Sequence, residues 1–545
     1  MMSEFTVSIG GQAGEGINRG GLLLARIAGL TGYRVYMYYD YPSLIRGGHN
    51  FATIRAAEKD CGGIARRPDF LCAMDQETIK RHTGIEIIVY DTDVAKAEGI
   101  GVPASSIIKE EKASPIARNT VIIGAFCRAA GIPREIMEEA IRREFGSRAE
   151  ENIRLALRGY HESREKRSIE IKTPQESPVM TGNDAIALGL IRGGLDAYVS
   201  YPMTPSSSIL HTMADLARDS PLIVVHPENE IAVITMALGL SYTGKRVAVG
   251  TSGGGFCLMT EGVSLAGMAE VPVVIVMAMR PGPSTGMPTY SSQADLGFVL
   301  HAGHGEFPRI VIAPGTTNEA YEWSARAVHL AWQFQCPTFI LSDKNLGEHP
   351  ASTDIDPDFP IPSPSTHYRE GIYRRYCTTD NGISPLRFPP VPGNVVKVNS
   401  YTHDEDGITT EEPRKASAAM VKLIRKGATL DNEMGLYGCV RIDGISDAPI
   451  AVVCFGSIGE TCREVGERLS LRVVRPVVLE PFPIMQFAEA LHEAEEIIIV
   501  EENATGQLAS LIQRFGYTAD RNIRSVNGRP FTIDELEGII REVIE

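Results

Sequence analysis

The chain has 545 residues, of which 43% are hydrophobic and 22% charged. This composition is globular and excludes a disordered, collagen-like or coiled-coil protein, and the length predicts about three domains. The formal net charge is −15, and no tract rich in Lys or Arg offsets it. This charge argues against a nucleic-acid or anionic-membrane partner.

The N-terminal segment and the cysteines predict a cytoplasmic protein. The start, MMSEFTVSIGG, lacks the basic and apolar regions of a signal peptide. The longest apolar run, within 263–279, is interrupted by Glu270 and Pro272, which argues against a transmembrane helix. The nine cysteines include no C-x-x-C pair, so we expect neither a disulfide scaffold nor a metal site of this chain's own.

Residues 1–172 form the first predicted domain, an alternation of short apolar strands with helices. Strands are predicted at 5–9, 34–38 and 86–90. The charged stretch 161–172, followed by Thr173-Pro174, is typical of a linker.

Residues 173–345 show the clearest α/β pattern. Helices are predicted at 228–243 and 256–269, and strands at 196–200, 222–226, 246–249, 272–279, 308–313 and 337–342. Strands that alternate with helices predict a parallel sheet covered on both faces. The proline-rich segment 346–414 is predicted as a connector, and 415–545 as a further α/β domain with strands at 450–455, 472–479 and 496–500.

Four consecutive strands of the middle domain end in polar or glycine-rich loops: YPMTPSS (201–207), PENE (227–230), GTSGGG (250–255) and RPGPSTG (280–286). Because ligands bind at the carboxyl ends of parallel strands, the four loops together predict a binding rim. Each loop alone also has a structural interpretation. Thr204 would belong to a helix cap, Glu228 and Glu230 would be first-turn acids, Arg280 would form a surface ion pair, and the glycines would make a tight turn.

Three short motifs suggest other chemistry. Gly239-x4-Gly244-Lys245 resembles a Walker A loop but ends a helix and lacks the Ser or Thr, so we reject it. Gly250-x-Ser252-x-Gly254 fits the nucleophile elbow of a serine hydrolase, with His301 or His304 as base and no identified acid.

The third motif is Gly10–Gly16, which follows a strand and opens a helix. Its free backbone N–H groups would suit a phosphate. It departs from G-x-G-x-x-G, and Asp40 is the one convincing strand-end acid downstream.

At these loops the sequence resembles the alpha subunit of the 2-oxoacid:ferredoxin oxidoreductases, with a gamma domain fused in front. The matching motifs are GGQAGEGI (10–17), YPSLIRGGHN (41–50), YPMTPSS (201–207), the segment 228–262, RPGPSTGMPTYSSQADL (280–296) and EENATGQL (501–508). The resemblance implies an α/β fold with a gamma domain (1–172), a pyrimidine-type thiamine-diphosphate-binding domain (173–345) and a transketolase C-terminal-like domain (415–545).

The resemblance also implies oxidative decarboxylation of a 2-oxoacid on thiamine diphosphate, with transfer of the acyl group to coenzyme A and of electrons to ferredoxin. Glu230 would pair with the aminopyrimidine, and Thr204 and Arg280 would hold the substrate carboxylate. The cofactor-binding residues would be Glu230, Tyr201, Pro202, Ser252, Gly253, Gly11, Gly14, Gly16 and Arg46. Met203, Gly254 and Pro281 depart from the family pattern. The change at Met203 conserves volume, whereas those at Gly254 and Pro281 affect the expected rigidity of the loops but not the assignment.

The chain lacks the GDG motif with which thiamine enzymes bind Mg-diphosphate; Asp406-Gly407 and Asp443-Gly444 follow no suitable strand. The resemblance implies a separate beta subunit that brings the diphosphate site, Mg²⁺ and a [4Fe–4S] cluster, in an (αβ)2 assembly, so that the isolated chain would be inactive. The fused architecture favours 2-oxoglutarate, with pyruvate and branched-chain 2-oxoacids as alternatives. Ser43, Arg46 and His49 of the gamma domain either lie near the coenzyme A path or only brace the domain. A non-catalytic acyl-CoA or nucleotide-binding module is the third hypothesis.

Overall fold

The computed structural model describes residues 4–44, 47–65, 67–173, 177–362, 372–390 and 395–545. They divide into two compact units. Unit 1 comprises Met1–Thr181, His349–Asp354 and Phe531–Glu545, and unit 2 comprises Gly182–Glu348 and Ile355–Pro530. In the part of the chain that is described, no helix is both long and apolar enough to cross a bilayer.

The N-terminal part of the chain alternates strands and helices. In order these are β1 (Glu4–Ala13), α1 (Ile17–Leu30), β2 (Arg34–Asp40), β3 (Gly47–Ala57), β4 (Phe70–Ala73), α2 (Gln76–Arg81), β5 (Ile87–Asp91), β6 (Ile100–Val102), α3 (Ala104–Glu110), α4 (Arg118–Ala129), α5 (Arg134–Phe145), α6 (Ala149–His161) and β7 (Val179–Met180), with short 3₁₀ turns at Pro115–Ala117 and Gly146–Arg148.

The middle of the chain continues the alternation. Its elements are α7 (Gly182–Arg192), β8 (Ala197–Ser200), α8 (Ser207–Leu216), β9 (Ile223–Val225), α9 (Glu230–Tyr242), β10 (Val247–Thr251), α10 (Gly253–Ala269), β11 (Val273–Met279), α11 (Leu296–His301), β12 (Ile310–Ile312), α12 (Thr317–Phe334), β13 (Pro337–Asp343), α13 (Lys344–Glu348) and β14 (Ala351–Ser352).

The C-terminal part begins with a long helix. Its elements are α14 (Pro413–Met434), β15 (Val440–Gly444), β16 (Ile450–Val453), α15 (Ile458–Leu469), β17 (Arg472–Pro476), β18 (Val478–Glu480), α16 (Ile484–Ala490), β19 (Glu496–Glu501), α17 (Gln507–Gln513), β20 (Arg521–Arg524) and α18 (Ile533–Ile544).

Unit 1 is built on an eight-stranded mixed sheet of order β6-β5-β4-β1-β3-β2-β14-β7. Its central strand β1 pairs parallel with β4 and antiparallel with β3. Helices α4 and α6 pack closely because a glycine of each meets backbone of the other: a side chain on Gly124 would overlap Ala156, and one on Gly159 would overlap Val121.

Unit 2 contains two sheets. The seven-stranded sheet has the order β18-β12-β13-β11-β10-β8-β9, and every pair is parallel except β12 with β18. The five-stranded sheet has the order β15-β17-β16-β19-β20, with β15 antiparallel to β17. One apolar core runs through both sheets and their helices. The α/β fold class and the parallel middle sheet are thus confirmed.

One predicted strand requires correction. The strand predicted at 472–479 is split at Val477, where the chain passes from one sheet to the other. The Val477 N–H donates to Cys439 O, and its carbonyl accepts from Ala313 N. The sequence does not reveal this change of sheet, because the apolar run continues through both strands.

The predicted connector and C-terminal domain also contain segments that belong to unit 1. From the connector, β14 adds to the sheet by pairing Ala351 with Tyr36. From the C-terminal domain, 531–545 joins unit 1, where Ile533 N donates to Ile64 O. The remaining domain boundaries stay predictions.

A buried ion cluster fixes α14 against the end of α10 within unit 2. Glu270 accepts from Lys422 Nζ at 2.6 Å and from Lys426 Nζ at 2.8 Å, and Arg375 donates to the Glu270 carbonyl oxygen. Burial alone would raise the pKa of Glu270, but the charges of Lys426, Lys422 and Arg375 outweigh it and hold the pKa far below its usual range. The cluster therefore stabilises unit 2 at neutral pH, and its contribution is lost as the pH falls through that lowered pKa.

We expect Glu270→Ala to lower the free energy of unfolding by about 3–5 kcal/mol, because two buried ammonium groups lose their counter-charge. Chemical denaturation at pH 7 measures the change. Glu261→Ala, at an exposed position of the same helix, is the matched control and should shift the midpoint little. Equal midpoints for the two variants would contradict the role of the cluster.

Candidate functional site

The carboxyl ends of β8, β9, β10 and β11 meet at one edge of the seven-stranded sheet, since these strands are parallel neighbours. The loops that follow them contact one another. Arg280 Nη1 donates to Thr204 O at 2.6 Å, Gly255 N donates to Met203 Sδ at 3.3 Å, and Ser200 Oγ donates to Gly250 O at 2.9 Å. The binding rim predicted from the sequence is therefore assembled in the structure.

Glu230 lies at the start of α9, where Asn229 caps the helix by accepting from Ala232 N at 3.0 Å. The side chain of Glu230 is buried, at 3% exposure, and its Oε1 has no hydrogen-bond partner. It faces Gly255 so closely that a side chain at 255 would overlap the carboxylate. Glu228 is exposed, so the two acids have different surroundings.

Arg280 follows β11 and is partly buried rather than a surface residue. Burial lowers the pKa of its guanidinium, and the negative charge of Asp295 opposes that effect. One guanidinium nitrogen holds the loop at Thr204, and Nε is buried without a partner. The Arg280 guanidinium is therefore anchored through Nη1, and its Nε can donate a hydrogen bond to a bound anion.

The other predicted residues of this site have different exposures. Ser252 is fully buried and its Oγ has no partner, and Gly253 begins α10. Tyr201 and Pro202 are exposed, with the ring of Tyr201 5.7 Å from that of His226. Their assigned roles in cofactor binding stay predictions.

Asp295 is a residue of the site that the sequence did not single out. A methyl group placed on Gly253 would lie 3.1 Å from Asp295 Oδ2, and that oxygen is buried without a partner. Burial raises the pKa of Asp295 to about 6, against the opposing charge of Arg280. An Asp directly before a helix suggests a cap, yet this side chain makes no capping bond to α11.

The serine hydrolase hypothesis is not supported. A serine nucleophile needs a hydrogen-bonded base, and the buried Oγ of Ser252 has no hydrogen-bond partner. His301 and His304, the candidate bases, are exposed.

The glycine loop of unit 1 connects β1 to α1, as predicted. Gly14 and Gly16 have φ of 95° and 71°, a region that favours glycine, and Gly11 is buried. Glu15 accepts from Gln12 N at 2.8 Å and pairs with Arg118. The loop thus presents an acid of its own beside the predicted phosphate position, and phosphate binding stays a prediction.

The second gamma-domain motif is described in part, because Arg46 lies outside the described residues. Ser43 is exposed. His49 stacks on Phe51, and its Nε2 lies 3.0 Å from Nε2 of His82. Burial lowers the pKa of His49 and lowers that of His82 to about 4, so both imidazoles are neutral at pH 7.

Metal ligands do not converge in the described ranges: no group of three or more His, Cys, Asp or Glu side chains there is placed to hold a metal ion. The polar atoms left open at the strand ends, Glu230 Oε1, Ser252 Oγ, Arg280 Nε and Asp295 Oδ2, instead suit a polar organic ligand.

Comparison with known families and proteins gives concordant matches. Residues 188–422 match the family described as pyruvate flavodoxin/ferredoxin oxidoreductase, thiamine diP-bdg. Residues 6–162 match the family described as pyruvate ferredoxin/flavodoxin oxidoreductase.

Full-length relatives match as well. The chain is 30% identical over 619 residues to the 2-oxoacid:ferredoxin oxidoreductase subunit alpha of Saccharolobus solfataricus, covering 98% of this chain and 97% of the relative. It is 30% identical over 346 residues to the 2-oxoglutarate synthase subunit KorA of Archaeoglobus fulgidus, covering 62% and 91%. A solved structure, the 2-oxoglutarate:ferredoxin oxidoreductase from Magnetococcus marinus with 2-oxoglutarate, coenzyme A and succinyl-CoA bound, matches with a TM-score of 0.91 and 27% identity over 100% of both chains.

We expect a fluorophosphonate probe to leave Ser252 unlabelled, because no base activates its hydroxyl. Intact-mass spectrometry of the treated chain measures the modification, and Ser252→Ala is the control. A probe adduct that forms on the native chain and disappears in Ser252→Ala would restore the hydrolase hypothesis.

Proposed function

Since this chain belongs to the 2-oxoacid:ferredoxin oxidoreductases, as an alpha subunit, we propose that the strand-end site is the pyrimidine half of their thiamine diphosphate site. The reaction is oxidative decarboxylation of a 2-oxoacid, with coenzyme A as acyl acceptor and ferredoxin as electron acceptor. The buried Glu230 carboxylate, with one oxygen left without a partner, is the observation that carries this proposal.

The residues present fit the cofactor. An aminopyrimidine ring requires a carboxylic acid at its ring nitrogen, and Glu230 Oε1 is a buried oxygen open to such a partner. Gly255 leaves the space in front of that oxygen free of a side chain. When bound, thiamine diphosphate supplies the electron sink that loss of carbon dioxide requires.

The residues of this chain have distinct roles at the proposed site. Glu230 holds a proton at Oε1 against the aminopyrimidine. Arg280, with Nε unpartnered, holds the substrate carboxylate together with Thr204, to whose backbone it is already bonded. The buried Ser252 and the half-buried Gly253 line the site and exclude water, while the exposed Tyr201 and Pro202 close it from the solvent side.

For the substrate we propose 2-oxoglutarate. The Archaeoglobus fulgidus relative is a 2-oxoglutarate synthase subunit, and the solved structure of similar fold contains 2-oxoglutarate and succinyl-CoA. Pyruvate and branched-chain 2-oxoacids are the alternatives, and relative kcat/KM across a panel of 2-oxoacids decides between them.

A beta subunit completes the proposed site. The sequence has no GDG motif, so the diphosphate, Mg²⁺ and the [4Fe–4S] cluster are assigned to that partner, in an (αβ)2 assembly of the cytoplasm. Helices α9 and α10 support a partner surface: both are predominantly apolar, a pattern of buried helices, yet Ile231, Met236 and Leu258 are about half exposed.

We propose that unit 1 binds coenzyme A. The left-handed Gly14 and Gly16, the buried Gly11 and the cation Arg46 are proposed to approach its phosphates, which supports a role for the two gamma-type motifs. Charge reversal at Arg46 should raise KM for coenzyme A and leave KM for the 2-oxoacid unchanged.

We expect Glu230→Gln, in the complex with the beta subunit, to lower 2-oxoacid-dependent viologen reduction by about 100- to 10,000-fold, because the amide cannot hold the proton. Assembly should persist, as size-exclusion chromatography shows. Glu228→Gln, at the exposed acid two residues earlier, is the matched control. Full activity of Glu230→Gln would reject the assignment of Glu230.

We expect Arg280→Ala to raise KM for the 2-oxoacid by about ten- to a hundred-fold, the loss of one charge-assisted hydrogen bond. The change in kcat should be small if Arg280 binds ground state and transition state alike. Arg246→Ala, before the amino end of β10, is the control at the opposite edge of the sheet. An unchanged KM in Arg280→Ala would place the substrate carboxylate elsewhere.

A further inference from the structure

Asp295 has no structural task that explains its position. It stands directly before α11 but makes no capping bond to that helix. Its neighbours are held by α17 instead, because Gln507 Nε2 donates to Ala294 O at 2.7 Å and Gly297 N donates to Gln507 Oε1 at 2.8 Å. The start of α11 is therefore fixed without the Asp295 side chain.

The carboxyl group is turned to the strand-end site. It lies against Gly253, where a methyl group would be 3.1 Å from Oδ2 and 3.3 Å from Oδ1, and Oδ2 is buried without a partner. Any larger residue at 253 would push into this carboxyl group. Because residue 253 is a glycine, the Asp295 carboxyl group can lie on the same side of the site as Arg280.

Two carboxylates beside one guanidinium repel each other, and the buried site leaves little water to screen them. A substrate carboxylate held by Arg280 would face the charge of Asp295 at short range. Protonation removes this repulsion and converts Oδ2 from an unpartnered acceptor into a hydrogen-bond donor. The neutral acid and the guanidinium then bind the same anion together.

We propose that Asp295 is a further substrate-binding residue, whose protonated carboxyl donates a hydrogen bond to the 2-oxoacid carboxylate that Arg280 holds. The proposal rests on the proposed function, and it adds a proton that the enzyme takes up when the substrate binds. Burial already raises the pKa of Asp295 to about 6 without a ligand. A bound anion raises it further, because the second negative charge favours the neutral acid.

Arg280 is the charged group that acts on Asp295, and two further acids, Glu230 and Glu502, lie on neighbouring segments. Arg280, on the segment after β11, opposes protonation. Glu230 lies against Gly255 of the same glycine turn. Glu502 approaches from the turn after β19, where its carbonyl accepts from Gln293 N, and α17 presents the uncharged Gln507. Replacing Asp295 itself isolates its contribution from theirs.

The sign of the pH dependence follows directly. Below about pH 6 the acid is already protonated, so KM for the 2-oxoacid is flat. Above that value each substrate bound must draw a proton from solvent, and KM rises by about tenfold per pH unit. Asp295→Asn carries a permanent donor and should abolish the slope.

The experiment measures KM and kcat for 2-oxoglutarate between pH 6 and 8.5 in the native alpha–beta complex and in three variants. Asp295→Asn should bind well at all pH values with a flat profile. Asp295→Ala, without a donor, should show a raised KM and no slope, and Asp295→Glu should restore the slope. Asp219→Asn, at an exposed position, is the matched control and should follow the native profile.

A native slope retained in Asp295→Asn would overturn the proposal, and so would a flat native profile. Turnover of the native complex separates this result from the proposed function. If no 2-oxoacid is oxidised at any pH, the proposed function fails. If turnover is normal but the slope does not depend on residue 295, the role of Asp295 alone fails.

Discussion

The buried carboxylate of Glu230 is the constraint on which the rest of the site depends. A buried polar atom without a hydrogen-bond partner costs free energy, and at a candidate site a bound ligand can supply the missing partner. Glu230 Oε1 is such an atom: it is buried and has no hydrogen-bond partner within the protein. Asn229 starts the helix so that the acid falls inside the first turn, and Gly255 keeps the opposite wall free of side chains.

The sheet that carries the four loops fixes the position of the Glu230 carboxylate. The strands β8, β10 and β11 are almost entirely buried, and their parallel pairing brings four loops to one edge. Ion pairs hold the flanking elements of unit 2 in place. Glu270 ties α14 to the end of α10, and the buried Glu319 of α12 pairs with Arg475 of β17. The site is therefore built on rigid elements, as a preorganised site requires.

Sequence reasoning predicted the edge of the sheet, because strand ends and their loops follow from local hydrophobic pattern and chain order, whereas the role of Glu230 came from the family resemblance and stays a prediction. It could not identify Asp295, since an Asp before a short helix has the pattern of a cap, and only the three-dimensional structure shows that the cap bond is absent. The same limit explains Val477, where an apolar run continues across two sheets. It also explains 531–545, whose amphipathic pattern fits a helix wherever that helix packs. The hydrolase motif around Ser252 failed because a short pattern carries no information about the base.

The central claim is that one polypeptide supplies the acid and the anion anchor while another supplies the metal–diphosphate cradle and the redox centre. Thiamine-dependent release of ¹⁴CO₂ from 1-¹⁴C-labelled 2-oxoglutarate, assayed with the purified chain before and after addition of the beta subunit, tests this claim most directly. The account predicts no release above background from the chain alone and turnover once the partner is added. Sustained release by the iron-free single chain would contradict it.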